Sequence, residues 1–264
     1  MHLAYTIAFD SARSGGHRLL AKMLAMSLVR SRFDGTILIF RNTEAPIFQL
    51  PREGILEHYI PTGQLTEKMV QGEAWSWKYR VARLVAEQAD LLQAERILFL
   101  DADILCLRNP DHLLDGDWDI AFCTESRSIR APNWNGYLTD YEMAHLKRKA
   151  INSGTMAIRT ERYESVMEEW ARIHSGPARA GTVFHEQGAW NRLILDTGLR
   201  TRAFEKDAIM YPMNEESDYR IYSQATFIHC LGGDLREKIR FMFGIYLSTW
   251  FFDDQGTLLN LLDM

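Results

Sequence analysis

Apolar positions along the chain alternate between two periods. Tyr5 to Phe9 reads as a first strand. From His17 to about Arg32, Leu19, Leu20, Met23, Leu24, Met26, Leu28 and Val29 recur at helical spacing. Thr36 to Phe40 predicts a second strand and Glu57 to Pro61 a third. A helix follows from Trp77 to about Leu92, with Val81, Leu84, Val85, Ala89 and Leu92 inward. Ile97 to Leu100 is continuously apolar, as in a strand buried on both faces. Further on, Ile151–Arg159 and Ala225–Cys230 read as strands, and Arg162–His174 and Glu186–Leu195 as helices. The β-α-β-β-α-β order predicts an α/β fold: an open, mostly parallel sheet flanked by helices. Residues 124–150 break the pattern with Pro132, Trp134, Gly136, Tyr137 and Tyr141, and predict a long surface excursion.

The central apolar strand runs straight into Asp101 and Asp103. If extended geometry continues, both side chains point the same way, about 6–7 Å apart. Two carboxylates at that separation repel by roughly 2–3 kcal/mol at an effective dielectric near 20. A divalent cation is the simplest remedy, Mg²⁺ or Mn²⁺ sharing its ligands between carboxylates, phosphate oxygens and water. In open α/β sheets ligands bind beyond the carboxyl ends of the strands, where Asp10 and the Asp101/Asp103 pair fall. His229 arrives at another strand end with Gly232-Gly233 behind it, whose amides suit an anion; Arg236 and Lys238 add positive charge. Lys78 reads either as part of a solvated basic face or as a cation aimed at a diphosphate. Asn152-Ser153-Gly154 reads as a turn whose small polar residues suit ligand hydroxyls. Glu186 and Gln187 open a helix, where exposed acids are ordinary.

Composition narrows the classes. The chain has 264 residues, 47% of them hydrophobic and 25% charged, enough for a full core. A net charge of −5 argues against a nucleic-acid binder. Cys106, Cys123 and Cys230 form no CxxC and no paired framework, which favours a reducing compartment. The N-terminus lacks a basic leader, and the apolar stretch from Phe241 to Phe251 is too short to span a bilayer. A cytosolic protein is expected, with peripheral membrane contact as the variant; the aromatic stretch suits core packing or a homodimer contact.

Taken in order, Trp77-Lys78-Tyr79-Arg80, Arg96 to Asp103 with Asn109-Pro110, Ile151-Asn152-Ser153-Gly154, Glu186 to Asn191 and His229-Cys230-Leu231-Gly232 resemble the GT-A-fold nucleotide-sugar glycosyltransferases. The likeness is strongest to the retaining family that includes glycogenin and the bacterial lipopolysaccharide galactosyltransferases, and covers about residues 3 to 240. It implies a Rossmann-like GT-A domain over 1–240 with a C-terminal aromatic extension over 241–264. It also implies a UDP-sugar donor, Mn²⁺ or Mg²⁺ on Asp101, Asp103 and His229, and a hydroxyl acceptor on a carbohydrate, lipid-linked carrier or peptide. Phe9 and Asp10 would lie near the base, Lys78 near the diphosphate or donor sugar, Asn152 and Ser153 on sugar hydroxyls, and Gly232 and Arg236 toward phosphate. Gln187, with Glu186 beside it, would lie near the anomeric carbon. Two positions depart from the pattern. The family's Asp-Gln-Asp is Glu186-Gln187-Gly188 here, and its lysine six residues after the histidine is Leu235, with Arg236 one place later.

Two other readings compete. One is a GT-A module that binds a nucleotide-sugar without turnover. The other is a haloacid-dehalogenase-type phosphatase, with Asp101 as nucleophile, Asp103 as acid and Asp253-Asp254 as a late metal pair. The late position of Asp101 and the Ile104 that follows it weigh against the second.

Overall fold

The computed structural model describes residues 1–11, 16–62, 74–132, 134–179, 185–204, 208–211, 225–230 and 234–250. Two compact units divide the chain. The first holds Met1–Tyr5, Gly72–Leu100 and Leu113–Lys206; the second holds Thr6–Gln71, Asp101–His112 and Asp207–Met264. Strand β1 (His2–Ala8) runs through both.

In the first unit the strand order is β1-β4-β7-β6-β8, with β4 Arg96–Leu100, β6 Ile120–Ser128, β7 Lys149–Arg159 and β8 Thr201–Ala203. Strand β4 runs parallel to β1 with Tyr5 opposite Phe99, whereas β7 is antiparallel to both β4 and β6. Strand β6 in turn pairs β8 in parallel, so β7 is the antiparallel member of a mixed sheet on this side. Helices α2 (Ala74–Arg80) and α3 (Ala82–Leu91) replace the single helix expected over 77–92. Later come α5 (Asp140–His145), α6 (Thr160–His174) and α7 (His185–Asp196). The apolar face of α6 buries Tyr163, Val166, Met167 and Trp170; the Trp170 ring stacks on Trp190 of α7 at 5.1 Å, and Tyr163 Oη donates to Tyr5 Oη at 2.8 Å. Burying an aromatic hydroxyl is tolerable here because each phenol answers the other.

The expected excursion is shorter than its composition suggests. Strand β6 reaches Ser128 and β7 begins at Lys149, so both strands extend into it. Thr139 opens α5 with a capping box: its side chain accepts from the Glu142 N–H, and Glu142 answers the Thr139 N–H at 2.7 Å.

In the second unit β2 (Gly35–Arg41) runs parallel to β3 (Ile55–Tyr59) and neighbours β1. A separate three-stranded sheet has the order β5-β10-β9, with β5 Ile104–Cys106, β9 Ile209–Met210 and β10 Phe227–His229. Helix α1 (Gly16–Arg30) buries Leu20, Met23, Leu24 and Leu28, and its Ser27 hydroxyl accepts from the Cys106 N–H at 2.9 Å, tying β5 to the helix. A four-residue helix, α4 (Asp111–Leu114), follows β5 in the chain. Helix α8 (Leu235–Trp250) packs on α1 and crosses position 240 without a break; Met242, Ile245 and Tyr246 are buried and Phe243 is exposed. Among the described residues no helix is long and apolar enough to cross a membrane.

Candidate functional site

The aspartate pair does not continue the strand. Strand β4 ends at Leu100, and the Ile104 N–H closes a turn on the Asp101 carbonyl at 3.2 Å. The chain then enters β5, which runs antiparallel to β10 with Ile104 opposite His229. A further bond from the Cys230 N–H to the Asp103 carbonyl, 3.0 Å, fixes that register where the carboxylates emerge. Turn and register together, rather than strand alternation, bring both acids to the histidine. His229 Nε2 lies 3.2 Å from Asp103 Oδ1 and 3.7 Å from Asp101 Oδ2. Among the described residues these three form the only group of His, Cys and acidic side chains close enough to share an ion, their ligand atoms lying within 4.8 Å of one another.

The donor set fits a divalent cation. His229 is fully buried, and among the described residues neither ring nitrogen makes a hydrogen bond of acceptable geometry. Leaving a buried polar nitrogen in that state is costly. An ion held between Nε2 and the two carboxylates would answer Nε2, and one imidazole with two carboxylates suits Mn²⁺ better than an all-oxygen site would. Burial pushes the Asp103 carboxyl up, but the facing His229 and the Lys238 ammonium outweigh it and hold the group well below the usual carboxylate range. Lys238 Nζ donates to Asp103 Oδ2 at 2.5 Å.

Of the two cations expected here, Arg236 and Lys238, it is Lys238 that meets a carboxylate of the cluster. Successive helical residues are about 100° apart, so positions 236 and 238 of α8 lie on roughly opposite faces. Lys238 is turned to Asp103, and Arg236 is exposed. Gly232 lies outside the described residues, as does the Asp253-Asp254 pair.

At the end of β1, Phe9 and Asp10 are buried. The Asp10 backbone is clamped by Asn42, which accepts from its N–H and donates to its carbonyl, each at 2.9 Å. Its Oδ1 accepts from the His17 N–H at 2.9 Å, serving the otherwise unpaired first turn of α1. Oδ2 is buried and has no hydrogen-bond partner among the described residues, so one acceptor remains at this strand end.

A second cluster of the expected residues forms within the first unit. Lys78 Nζ donates to Glu186 Oε1 at 2.5 Å and to the Ser153 carbonyl at 3.4 Å, and stands 4.2 Å above the Phe99 ring. Lys78 is thus a buried, partnered cation rather than part of a solvated face, and Glu186 is its counter-ion. The Ser153 carbonyl is available because β7 bulges there. Phe122 pairs with Met156 but Cys123 already pairs with Asn152, so three residues are looped out of the ladder. The sequence predicts a turn at Asn152-Ser153-Gly154; the chain makes a bulge inside one continuous strand instead.

Asn152 is buried and engaged on both sides. Its Nδ2 donates to Glu125 Oε1 at 2.8 Å and its Oδ1 accepts from the Gly154 N–H at 3.0 Å. An amide has two donors and two acceptor lone pairs, so among the described residues one of each remains. Glu125 is itself buried; sequence patterning misses it because it lies in a run that lacks strand alternation.

Gln187 is held from the expected excursion: Trp134 Nε1 donates to its Oε1. Gly188, the departure from the family pattern, is closely approached: a side chain there needs the Tyr137 ring to give by a few tenths of an ångström. A Cβ there would lie 3.3 Å from Tyr137 Cδ2 and 3.5 Å from the Trp134 carbonyl. Tyr137 Oη in turn donates to the His174 carbonyl at 3.0 Å. Trp134 and Tyr137 therefore pin this segment to α7 and α6. Tyr141 remains exposed, stacked on His145 at 4.2 Å.

No protein-family model matches the chain, and no curated protein matches its sequence. Solved structures do match its fold. The apo structure of the bifunctional glycosyltransferase WbbM aligns over 93% of this chain with a TM-score of 0.60 and 10% identity; the chain spans 51% of WbbM. The galactosyltransferase LgtC, in complex with donor and acceptor sugar analogues, aligns over 96% of this chain and 98% of its own, with a TM-score of 0.58 and 12% identity. A glycosyltransferase involved in glycosylation of the major capsid of PBCV-1 aligns over 92% of this chain and all of its own, with a TM-score of 0.54 and 12% identity. The chain has the α/β fold of GT-A glycosyltransferases.

Proposed function

We propose that this chain is a metal-dependent glycosyltransferase that moves a sugar from a UDP-sugar to a hydroxyl acceptor, with retention of configuration. The observation that carries the reading is the Asp101–Asp103–His229 constellation, whose buried imidazole faces both carboxylates and, among the described residues, makes no hydrogen bond of acceptable geometry, on a GT-A fold. The phosphatase alternative has no comparable support, since the fold is the one that glycosyltransferases use.

A divalent cation, Mn²⁺ in preference to Mg²⁺, held by these three residues would act as a Lewis acid and neutralise charge on the departing nucleoside diphosphate. The chain's own groups do the rest. Phe9 and Asp10 bound the base, with Asp10 Oδ2 as acceptor. Asn152 and Ser153 meet sugar hydroxyls from the β7 bulge, Asn152 also orienting Glu125. Lys78 and Glu186 hold each other rigid beside the donor sugar, and Gln187, oriented by Trp134, faces the anomeric carbon. Such fixed groups turn an encounter into an oriented reaction, worth up to about 7–11 kcal/mol at best. The acceptor is a carbohydrate, lipid-linked or peptide hydroxyl, approached from the side bearing exposed Tyr141. The three free, buried cysteines favour a cytosolic setting.

The test is incubation with Mn²⁺ and a panel of uridine and guanosine diphosphate sugars, following free sugar and nucleoside diphosphate. Mn²⁺-dependent release from a uridine donor is expected. Donor binding with no hydrolysis or transfer from any donor would leave a binding module and remove the enzyme.

A further inference from the structure

Helix α8 begins in a way that commits one side chain to the metal ligands. Asp234 and Glu237 form a reciprocal cap, each backbone N–H donating to the other's carboxylate at 2.9 Å. The Lys238 N–H closes the first turn on the Asp234 carbonyl at 3.0 Å. Leu235 seats against Gly16 at the start of α1, where a Cβ would come within 2.6 Å of Leu235 Cδ2. With that turn fixed, Lys238 reaches Asp103 Oδ2 at 2.5 Å while Asp103 Oδ1 faces His229 at 3.2 Å. Asp103 is thus divided, one oxygen to an ammonium and one to the imidazole.

An ammonium on a ligand carboxylate works against a divalent cation. The repulsion between a single and a double positive charge a few ångströms apart exceeds what one hydrogen bond gains by orienting the carboxylate. Resting on the metal-dependent reading above, we propose that Lys238 is a resident counter-charge that competes with the divalent cation for Asp103 and moves to nucleotide phosphate oxygens when the cation is bound. Cation and nucleotide then load cooperatively, because each relieves a cost created by the other. A lysine is suited to the exchange, being a compact charge on a flexible four-carbon stem.

Calorimetric titration of MnCl₂ into wild type, Lys238→Met and Lys238→Arg tests this, followed by UDP at saturating Mn²⁺. Lys238→Met should bind Mn²⁺ alone roughly tenfold or more tightly than wild type, and UDP roughly tenfold more weakly. Lys238→Arg keeps the charge and should stay near wild type in the first titration. Mn²⁺ binding to Lys238→Met but not to wild type is the extreme form of the same result. Mn²⁺ binding by Lys238→Met that equals or falls below wild type overturns the proposal while leaving the metal site standing. Absence of binding in all three proteins overturns the metal reading and the proposal with it. Lys238→Gln and an unfolding midpoint at saturating Mn²⁺ guard against a folding defect.

Discussion

Among the described residues each of the two units holds a lysine–carboxylate pair at the same separation, and the pairs differ in their surroundings. Lys78 and Glu186 meet at 2.5 Å, and the lysine is further satisfied by the Ser153 carbonyl and the Phe99 ring. Lys238 and Asp103 also meet at 2.5 Å, but Asp103 has a second oxygen turned to His229, with Asp101 close by. The first pair is closed: its charges balance and its neighbours are carbonyl and aromatic. The second is open: two carboxylates and a buried imidazole whose ligand atoms lie within 4.8 Å of one another share that corner with the ammonium. A closed pair positions; an open one has capacity for another cation. Distance alone does not distinguish them, whereas the accounting of remaining acceptors and donors does.

The largest way to break this comparison is Asp103→Ala, which removes the open pair's centre. Transfer should fall by at least about a hundredfold and donor binding should lose its Mn²⁺ dependence; a donor-release assay with and without Mn²⁺ checks both. Lys78→Met attacks the closed pair and should behave differently. It leaves Glu186 without its partner, so chemical unfolding should show a loss of about 1–3 kcal/mol, and Mn²⁺ affinity should not change. Trp134→Phe is smaller again: Gln187 loses the donor to its Oε1, and kcat should drop roughly tenfold with little change in donor KM, since the bond orients rather than binds.

The smallest effect uses a third acid–base pair as a structural control. Arg200 grips buried Asp119 through two guanidinium contacts at 3.2 and 2.9 Å and a backbone bond of 2.9 Å. The Arg200 hydrogen bonds hold the Asp119 carboxyl down at about 2. A depressed carboxyl stabilises the fold above its unfolded value near about 3.9 and loses that contribution as pH falls through the folded value. Stability of the wild type should therefore decline between about pH 4 and pH 2, and Asp119→Asn should flatten that decline without altering donor turnover near neutrality.

How much of this was legible in the sequence depends on which force set each element. Strands and helices with strong periodicity, such as Ile97–Leu100 and the helix ending at His174, follow from burial alone. Asp101, Asp103 and His229 were also legible as strand-end residues, although the turn at 101–103 that orients the acids was not, because it is fixed by pairing to β10. Strand β6 was missed because Thr124, Glu125, Ser126 and Arg127 carry no apolar alternation; its pairing with β7 decides it. Lys78 was ambiguous for a related reason: a buried ammonium and a solvated one have the same sequence, and only Glu186, more than a hundred positions away, tells them apart. Arg236 and Lys238 were both legible as positive charge, but that Lys238 turns to Asp103 was not, because helix phase depends on the Asp234–Glu237 cap. Gly188 stands where the family pattern has a carboxylate, and the close approach of Tyr137 to it depends on the fold of the 134–137 segment, which the sequence does not display.

The central claim, that Asp101, Asp103 and His229 hold a divalent cation, is tested most directly by electron paramagnetic resonance of free Mn²⁺ titrated with wild-type and Asp103→Ala protein. The account predicts that wild type, with UDP present, depletes the free-ion signal stoichiometrically and that Asp103→Ala leaves it untouched. Equal depletion by the two proteins would contradict it.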